Sequence, residues 1–115
     1  MGKPFGAAMS KEAETLFESV KIYLNQQVVL DTAEPIVFLG TLKQITGKGF
    51  WLENADIHDC RDGHANKEHY AFESQVEGVR TNRKRIFVMS SAVISISALS
   101  EVVPEDLRDQ AGPVE

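Results

Sequence analysis

The most restrictive feature of this sequence is a hairpin pattern with a glycine inside its second strand. Residues 28–45 read VVLDTAEPIVFLGTLKQI, and two runs of β-forming residues flank the turn residues at 31–35. A glycine inside a strand gives up side-chain packing and often marks a sharp bend. Gly40 therefore predicts that the second strand bends strongly, together with the sheet to which it belongs.

Three further segments complete a predicted sheet of five strands. After a turn at 47–49, these strands are predicted at 50–57, 83–89 and 92–99. Only Ser90 and Ser91 separate the last two strands. In the last strand Ile94 and Ile96 alternate with serines, which is the two-residue period of a strand. We expect a mainly β fold, a small and strongly bent five-stranded antiparallel barrel.

A helix is predicted ahead of the sheet, at about 10–24. Ser10 is a good N-cap, and Glu12 and Glu14 in the first turn suit the helix dipole. Apolar side chains then recur at three- and four-residue spacing as far as Leu24, which gives the helix one apolar stripe. This stripe should pack over one end of the barrel.

An insert at about 58–82 separates the third and fourth strands. Within it, Asn66 is a suitable N-cap, and Gly78 is a suitable residue to end a helix. We therefore predict an inserted helix at about 66–77.

The insert also carries several side chains that bind metals in other proteins, and His58, Cys60 and His64 are a conceivable zinc site. However, the chain has no CxxC or HxxxH spacing. Nothing next to Cys60 has the pattern of a helix N-terminus or a strand–turn–helix elbow, which would activate a nucleophile. We therefore predict no metal site, no cofactor and no enzymatic activity.

We divide the chain into a flexible lead at 1–9, one domain at 10–100 and an acidic tail at 101–115. The net charge is −5, and the tail has five acidic residues but only one arginine. The rest of the chain is nearly neutral. This balance argues against indiscriminate nucleic-acid binding, because phosphate contacts need local positive charge.

Three observations favour a cytoplasmic protein. The single cysteine excludes an internal disulfide and suits a reducing compartment. No apolar run approaches the roughly 18 residues that a membrane span needs. Residues 1–9 lack the apolar core of a secretory signal. We therefore expect no membrane partner.

Several short motifs follow one another along the strands. Leu24-Asn25 precedes the hydrophobic run 28–30, residues 38–42 read FLGTL, residues 50–55 read FWLENA, and residues 93–96 read VISI. In order and spacing these motifs resemble the Sm-like (Lsm) family, with this chain as a divergent bacterial-type member that has a helical insert. The resemblance implies that strand four of one copy pairs with strand five of the next. The result would be a homo-oligomeric ring of about five to seven copies.

The strand pattern independently favours such a ring. The apolar residues of the last two strands would otherwise lie on open sheet edges that are prone to aggregation, and a closed ring removes those edges. The predicted oligomer-edge residues are Ile86, Val88, Val93, Ile94 and Ile96.

The resemblance also implies RNA as a partner, although the family's usual pocket residues are replaced here. The turn that normally supplies an Asp and an Asn reads Thr46-Gly47-Lys48-Gly49, and Met89-Ser90 stands where the family has Arg-Gly. Basic residues around the fourth strand are alternative phosphate ligands. The candidate RNA-binding residues are Lys48, Arg80, Arg83, Lys84, Arg85, Ser90 and Ser91.

These candidates also have simpler interpretations. Arg83 and Arg85 share a strand face and could pair with Glu73, Glu77 or the acidic tail. A lysine in a glycine turn, such as Lys48, would point at the pore of a ring but is often merely solvated.

Phe50 and Trp51 should point to opposite faces of the third strand. One of them should therefore lie in the core, while the other could stack on bases. The alternative is that both pack against the first helix.

Two functional hypotheses remain open. In the first, the ring binds RNA or a ribonucleoprotein through basic and pore-turn residues. In the second, the same ring is a protein-interaction scaffold that binds no RNA, and the inserted helix determines its specificity.

Overall fold

The structure is a computed structural model, and it describes residues 10–63 and 66–104. Its helices are α1 (Lys11–Val20) and α2 (Lys67–Glu77). Its strands are β1 (Gln27–Asp31), β2 (Ile36–Ile45), β3 (Gly49–Asp59), β4 (Arg83–Met89) and β5 (Ser95–Ala98). In this part of the chain, neither helix is long and apolar enough to cross a membrane.

The five strands form one antiparallel sheet with the order β4-β3-β2-β1-β5. The predicted fold class is confirmed: the fold is mainly β, a helix precedes the sheet, and a second helix lies between β3 and β4. Among the described residues, β4 pairs only with β3, and β5 pairs only with β1. Each of these two strands therefore has one unpaired edge.

The sheet bends where β2 and β3 come closest, at Gly40. A Cβ atom on Gly40 would lie 3.0 Å from the Cα atom of Ala55, so a larger residue would push the two strands apart. Nearby, Asn54 has a positive φ of 51° and adds one residue to β3 relative to β2, which is a β-bulge. The glycine and the bulge together explain the predicted bend.

Because the sheet bends, side chains from every strand reach one inner core beneath α1. In a flat sheet, β4 and β5 would lie about 19 Å apart. Here Ile86 of β4 and Ile96 of β5 pack against the same buried cluster. That cluster consists of Val20, Val28, Leu30, Leu42, Ile45, Phe50, Leu52, Ala55 and Val88.

A second, outer core lies between α2 and the opposite face of β1 and β2. Its buried members are Val29, Val37, Leu39, Tyr70, Ala71 and Leu99. In β1, Val28 and Leu30 point to the inner core while Val29 points to the outer core. Burial on both faces explains why the middle of this strand, residues 28–30, is apolar and does not alternate.

Both helices begin at the predicted caps. Ser10 and Asn66 each accept a hydrogen bond from the backbone N–H three residues on, at 3.0 and 2.8 Å. The helix α2 ends before Gly78, whose φ of 100° suits glycine. The helix α1 is shorter than predicted, because the chain tightens into a 3₁₀ turn at Lys21–Tyr23.

The fifth strand begins at Ser95 and not at the predicted residue 92. Ser90–Ala92 form a 3₁₀ turn that leads the chain away from β4, and the N–H of Val93 closes it. The N–H of Ile94 then donates to the carbonyl of Asp31 at 2.8 Å, which aligns β5 with β1. Val93 and Ile94 therefore precede the strand. Of the predicted edge residues, Ile86, Val88 and Ile96 lie within β4 or β5.

The chain stays packed for a short distance beyond residue 100. The Nε2 group of Gln75 donates to the carbonyls of Leu99 and Val102, both at 2.9 Å, and Val102 packs against the outer core. The predicted lead at 1–9 and the tail from 105 onward lie outside the described residues.

Gly49 provides a test of how closely β3 and β4 pack. A Cβ atom there would overlap the carbonyl oxygen of Val88 and lie 2.9 Å from Cζ of Phe87. We expect Gly49→Ala to lower the free energy of unfolding by about 1–3 kcal/mol, measured by urea denaturation.

Gly63→Ala is the matched control, because nothing lies within 4 Å of the position of its Cβ atom. Its free energy of unfolding should change by less than about 0.5 kcal/mol. Equal effects of the two substitutions would contradict the close approach of β3 and β4.

Candidate nucleic-acid interface

One group of candidate residues lies where the turn at 46–49 meets the end of β4. The Oγ1 atom of Thr46 accepts hydrogen bonds from two backbone N–H groups of this turn, both at 3.0 Å. The N–H of Ser90 donates to the carbonyl of Lys48 at 2.9 Å. The structure therefore brings the exposed Lys48 next to Ser90, with Ser91 following in the chain.

Arg80 is tied to α2. Its Nη2 group donates to Glu77 at 3.0 Å and to Glu73 at 3.3 Å, and its guanidinium lies 5.1 Å from the centre of the Tyr70 ring. Hydrogen bonds to these two carboxylates, with Glu77 first, raise the pKa of Arg80 above its usual value. Of the basic residues at 80–85, Arg80 is therefore the one that pairs with the acidic residues of α2.

The other three cations of the basic stretch have no carboxylate partner among the described residues. Arg83 donates to a neighbouring backbone carbonyl at 3.0 Å, and Lys84 makes no hydrogen bond or ion pair there. Arg85 is the cross-strand neighbour of Glu53, yet its guanidinium lies 4.3 Å from the centre of the Trp51 ring. No described carboxylate thus neutralises the three positive charges of β4.

Two aromatic rings accompany Arg83 and Arg85 on the outer face of the sheet. Trp51 and Phe87 are cross-strand neighbours whose ring centres lie 5.0 Å apart, with the planes inclined at 54°. Strand alternation places Arg83, Arg85 and Phe87 on one face of β4. Phe50 is buried in the inner core, so it and Trp51 do point to opposite faces. We call Trp51, Arg83, Arg85 and Phe87 the outer strip.

The structure separates the candidate residues into two groups within one protomer. Arg83 begins β4, whereas Met89 ends it next to the turn that contains Lys48. At the usual rise of a strand, this is a separation of about 20 Å. The turn group and Arg83 therefore lie at opposite ends of β4, and Trp51 and Phe87 of the outer strip lie between them.

A buried carboxylate fixes the point at which β4 begins. Asp56 is only 2% exposed, and it accepts hydrogen bonds from the hydroxyl of Tyr70 and, at 3.0 Å, from the amide of Asn82. The Oδ1 atom of Asn82 accepts from the N–H of Ile57 at 3.1 Å. This cluster connects β3, α2 and the residue just before Arg83, so it positions the outer strip.

Sequence patterns did not reveal this cluster. Alternation counted from Phe50 would point Asp56 into the inner core, where a carboxylate is costly. The bulge at Asn54 reverses the alternation and turns Asp56 towards α2. The one available signal is that asparagine is enriched at positive φ.

The surroundings of His58 and Cys60 indicate a role in packing. The ring of His58 stacks on Tyr70 with a centre-to-centre distance of 3.6 Å. Burial raises the pKa of the Cys60 thiol, which disfavours the nucleophilic thiolate. Within residues 10–63 and 66–104, no three His, Cys, Asp or Glu side chains form a group that could hold a metal. His64, the third ligand of the conceivable zinc site, lies outside these residues.

No family model and no curated protein matches the sequence. Solved structures of Sm and LSM proteins are similar to it in fold. The Pyrococcus abyssii Sm protein in complex with a uridine heptamer is 15% identical with a TM-score of 0.47, over 71% of this chain and 94% of that chain. The LSM domain of Dm EDC3 (Enhancer of Decapping 3) is 18% identical with a TM-score of 0.43, over 79% of this chain and 72% of that chain.

Tyr70→Phe tests the buried cluster. It leaves the Asp56 carboxylate without the Tyr70 hydroxyl, so we expect the free energy of unfolding near neutral pH to fall by about 1–3 kcal/mol. Tyr23→Phe is the matched control, because the hydroxyl of Tyr23 has no hydrogen bond among the described residues. It should change stability by less than about 0.5 kcal/mol.

The same variant has a distinctive pH dependence. Burial first, and then the hydrogen bond to Asp56, raises the pKa of Tyr70 from 10.0 to about 12. A raised folded-state pKa stabilises the protein below pH 10, and this contribution is lost as the pH rises to about 12. The difference in free energy of unfolding between Tyr70→Phe and the unmodified protein should therefore become smaller between pH 10 and about pH 12. A deficit that does not change with pH would show that the phenol is not protected as described.

Proposed function

We propose that this chain is an Sm-like module that assembles into a closed homo-oligomeric ring and binds single-stranded RNA. The observation that supports assembly is the pair of unpaired strand edges, β4 on one side of the sheet and β5 on the other. A ring that pairs β4 of one copy with β5 of the next satisfies both edges and leaves none open. About five to seven copies would close it, by resemblance to the family.

Apolar surface at both edges supports the same assembly. Met89 at the end of β4 is 62% exposed, and Ile94 just before β5 is 65% exposed. A groove of about 150 Å³ lies between α1 and β5, and its apolar lining includes Leu16, Val93 and Ile96. A second copy's β4 beside β5 would continue the sheet and bring its inward-facing Ile86 over this groove.

The unpaired cations support RNA as the ligand. Arg83, Lys84 and Arg85 have no carboxylate partner among the described residues, so phosphates would not have to displace an ion pair. A ring would repeat these charges once per subunit and so create a basic zone on a protein of negative net charge. The exposed Lys48, together with Ser90 and Ser91, would form a second set of contacts nearer to the ring axis.

One observation favours the alternative, a ring that acts as a protein scaffold. Val76 is 65% exposed on α2, a helix that lies on the far side of the sheet from α1. An exposed apolar side chain on an inserted helix is a suitable contact for a protein partner. The scaffold function predicts that assembly survives while RNA affinity is absent.

Ile94→Lys tests assembly. A lysine at the β5 edge would bury a charge against the neighbouring copy, so we expect the ring to dissociate into smaller species in native mass spectrometry. Ile22→Lys is the matched control, because Ile22 is also 65% exposed but lies in the 3₁₀ turn after α1 and in neither β4 nor β5. If the unmodified protein stays monomeric at all concentrations, that result would contradict the proposed ring.

Arg83→Ala/Arg85→Ala tests RNA binding. At low salt we expect affinity for a short oligouridine to fall at least about fivefold, with a slope of log K against log salt that is smaller by about 1.4. The control is Lys21→Ala/Arg61→Ala, which removes the same charge from two cations that pair with Glu18 and Asp59. Equal losses of RNA affinity in the two double variants would show that binding does not depend on Arg83 and Arg85 in particular. If the unmodified protein has no affinity for RNA at low salt, that result would favour the scaffold function.

A further inference from the structure

The arrangement of Arg85 and Trp51 is not explained by charge pairing. Arg85 has Glu53 as its cross-strand neighbour, but the guanidinium forms no ion pair with that carboxylate and lies over the indole ring instead. None of its N–H groups has a hydrogen-bond partner among the described residues. A planar cation thus lies over the indole ring, and its donors are not used by any other described residue.

The neighbouring side chains extend this surface along β4. Phe87 contacts the indole from one side, and Arg83 lies two residues from Arg85 on the same strand face. Side chains two residues apart on a strand are about 6.7 Å apart. The outer strip therefore offers two aromatic rings, a guanidinium plane and a further cation on one half-exposed face.

This combination favours one class of ligand. Unpaired bases stack on aromatic rings and on guanidinium planes, and they do so with little regard to sequence because every base has a π-face. A duplex hides those faces inside its own stack. An acidic peptide would neutralise the cations but would leave the rings without a partner.

We propose that Trp51, Arg85 and Phe87 form a base-stacking site for single-stranded nucleic acid, with Arg83 binding an adjoining phosphate. This inference rests on the proposed RNA binding and gives it a location. The site lies on the outer face of the sheet. Trp51 and Phe87 lie two residues along their strands from Gly49 and Met89, whereas Arg85 and Arg83 lie progressively farther from the turn at 46–49. The site also leaves the free edge of β4 open for assembly, because bases would contact side chains on the face and not the backbone of the edge.

Trp51 is the only tryptophan in the chain, so its fluorescence reports on this site directly. We expect oligouridine and oligoadenine to quench the emission at low salt with affinities within about tenfold of each other, since stacking tolerates any base. A duplex of equal length should quench much less. Inorganic polyphosphate serves as the charge-only probe, and it should bind without the same quenching.

Two substitutions separate stacking from charge. Arg85→Lys keeps the charge but loses the planar group, so the affinity for fluorescently labelled oligouridine should fall several-fold. Arg61→Lys is the matched control, because Arg61 is an exposed arginine paired with Asp59, and it should leave affinity unchanged. Trp51→Leu should weaken binding at least about fivefold.

Each outcome has a distinct meaning. RNA binding that is insensitive to Trp51→Leu and Arg85→Lys, or quenching by polyphosphate equal to that by RNA, would overturn the stacking site. The proposed function would survive in the first case, through the turn residues. Quenching by a protein that forms no ring would support the stacking site and refute the assembly. Tight binding of an acidic peptide with no binding of RNA would refute both RNA proposals. Circular dichroism and native mass measurements on each variant exclude loss of the fold as the cause.

Discussion

The close approach of β2 and β3 at Gly40 is the constraint on which the rest of the fold depends. The absent side chain lets the two backbones come together beside Ala55, and the bulge at Asn54 takes up the extra residue. The bend lets inward side chains of all five strands share one core. The reversed alternation after the bulge points Asp56 towards α2, and Asp56 then fixes Asn82 at the entry to β4. One local backbone feature therefore affects both the core and the position of the cations.

The cations differ in environment more than their proximity in sequence suggests. Arg80 comes before β4 and faces α2, where two glutamates and an aromatic ring satisfy it. Arg83 and Arg85 lie within β4, where alternation carries them to a face that has one cross-strand carboxylate and, among the described residues, no ion pair. The net charge of the chain is thus a poor guide to this surface, because within residues 10–63 and 66–104 the carboxylates that form ion pairs lie near other cations and not near Arg83 or Arg85.

Much of the fold could be predicted from local patterns, because those patterns act locally. Ser10 and Asn66 cap their helices through hydrogen bonds that span three residues, and Gly78 ends α2 with a conformation that suits glycine. The start of β5 could not be predicted, because it depends on a hydrogen bond from Ile94 to Asp31, which is distant in sequence. The candidate site was predicted as a set of cations and two serines, with one of Phe50 and Trp51 as an alternative stacking ring, but the sequence did not show which of these residues lie together. Which of them is paired depends on the packing of α2, and the partner of Arg85 depends on a cross-strand register.

The two hydrogen bonds of the Gln75 side chain couple the inserted helix to the end of the last strand. The side chain reaches from the inserted helix to two carbonyls at the far end of β5, across 24 and 27 residues of chain. Among the described residues, the short strand β5 pairs only with β1, so these two hydrogen bonds add a second attachment for the residues that follow it. Unfolding of α2 would therefore also release the residues that follow β5. The inserted helix thus contributes to the stability of the sheet edge that β5 forms.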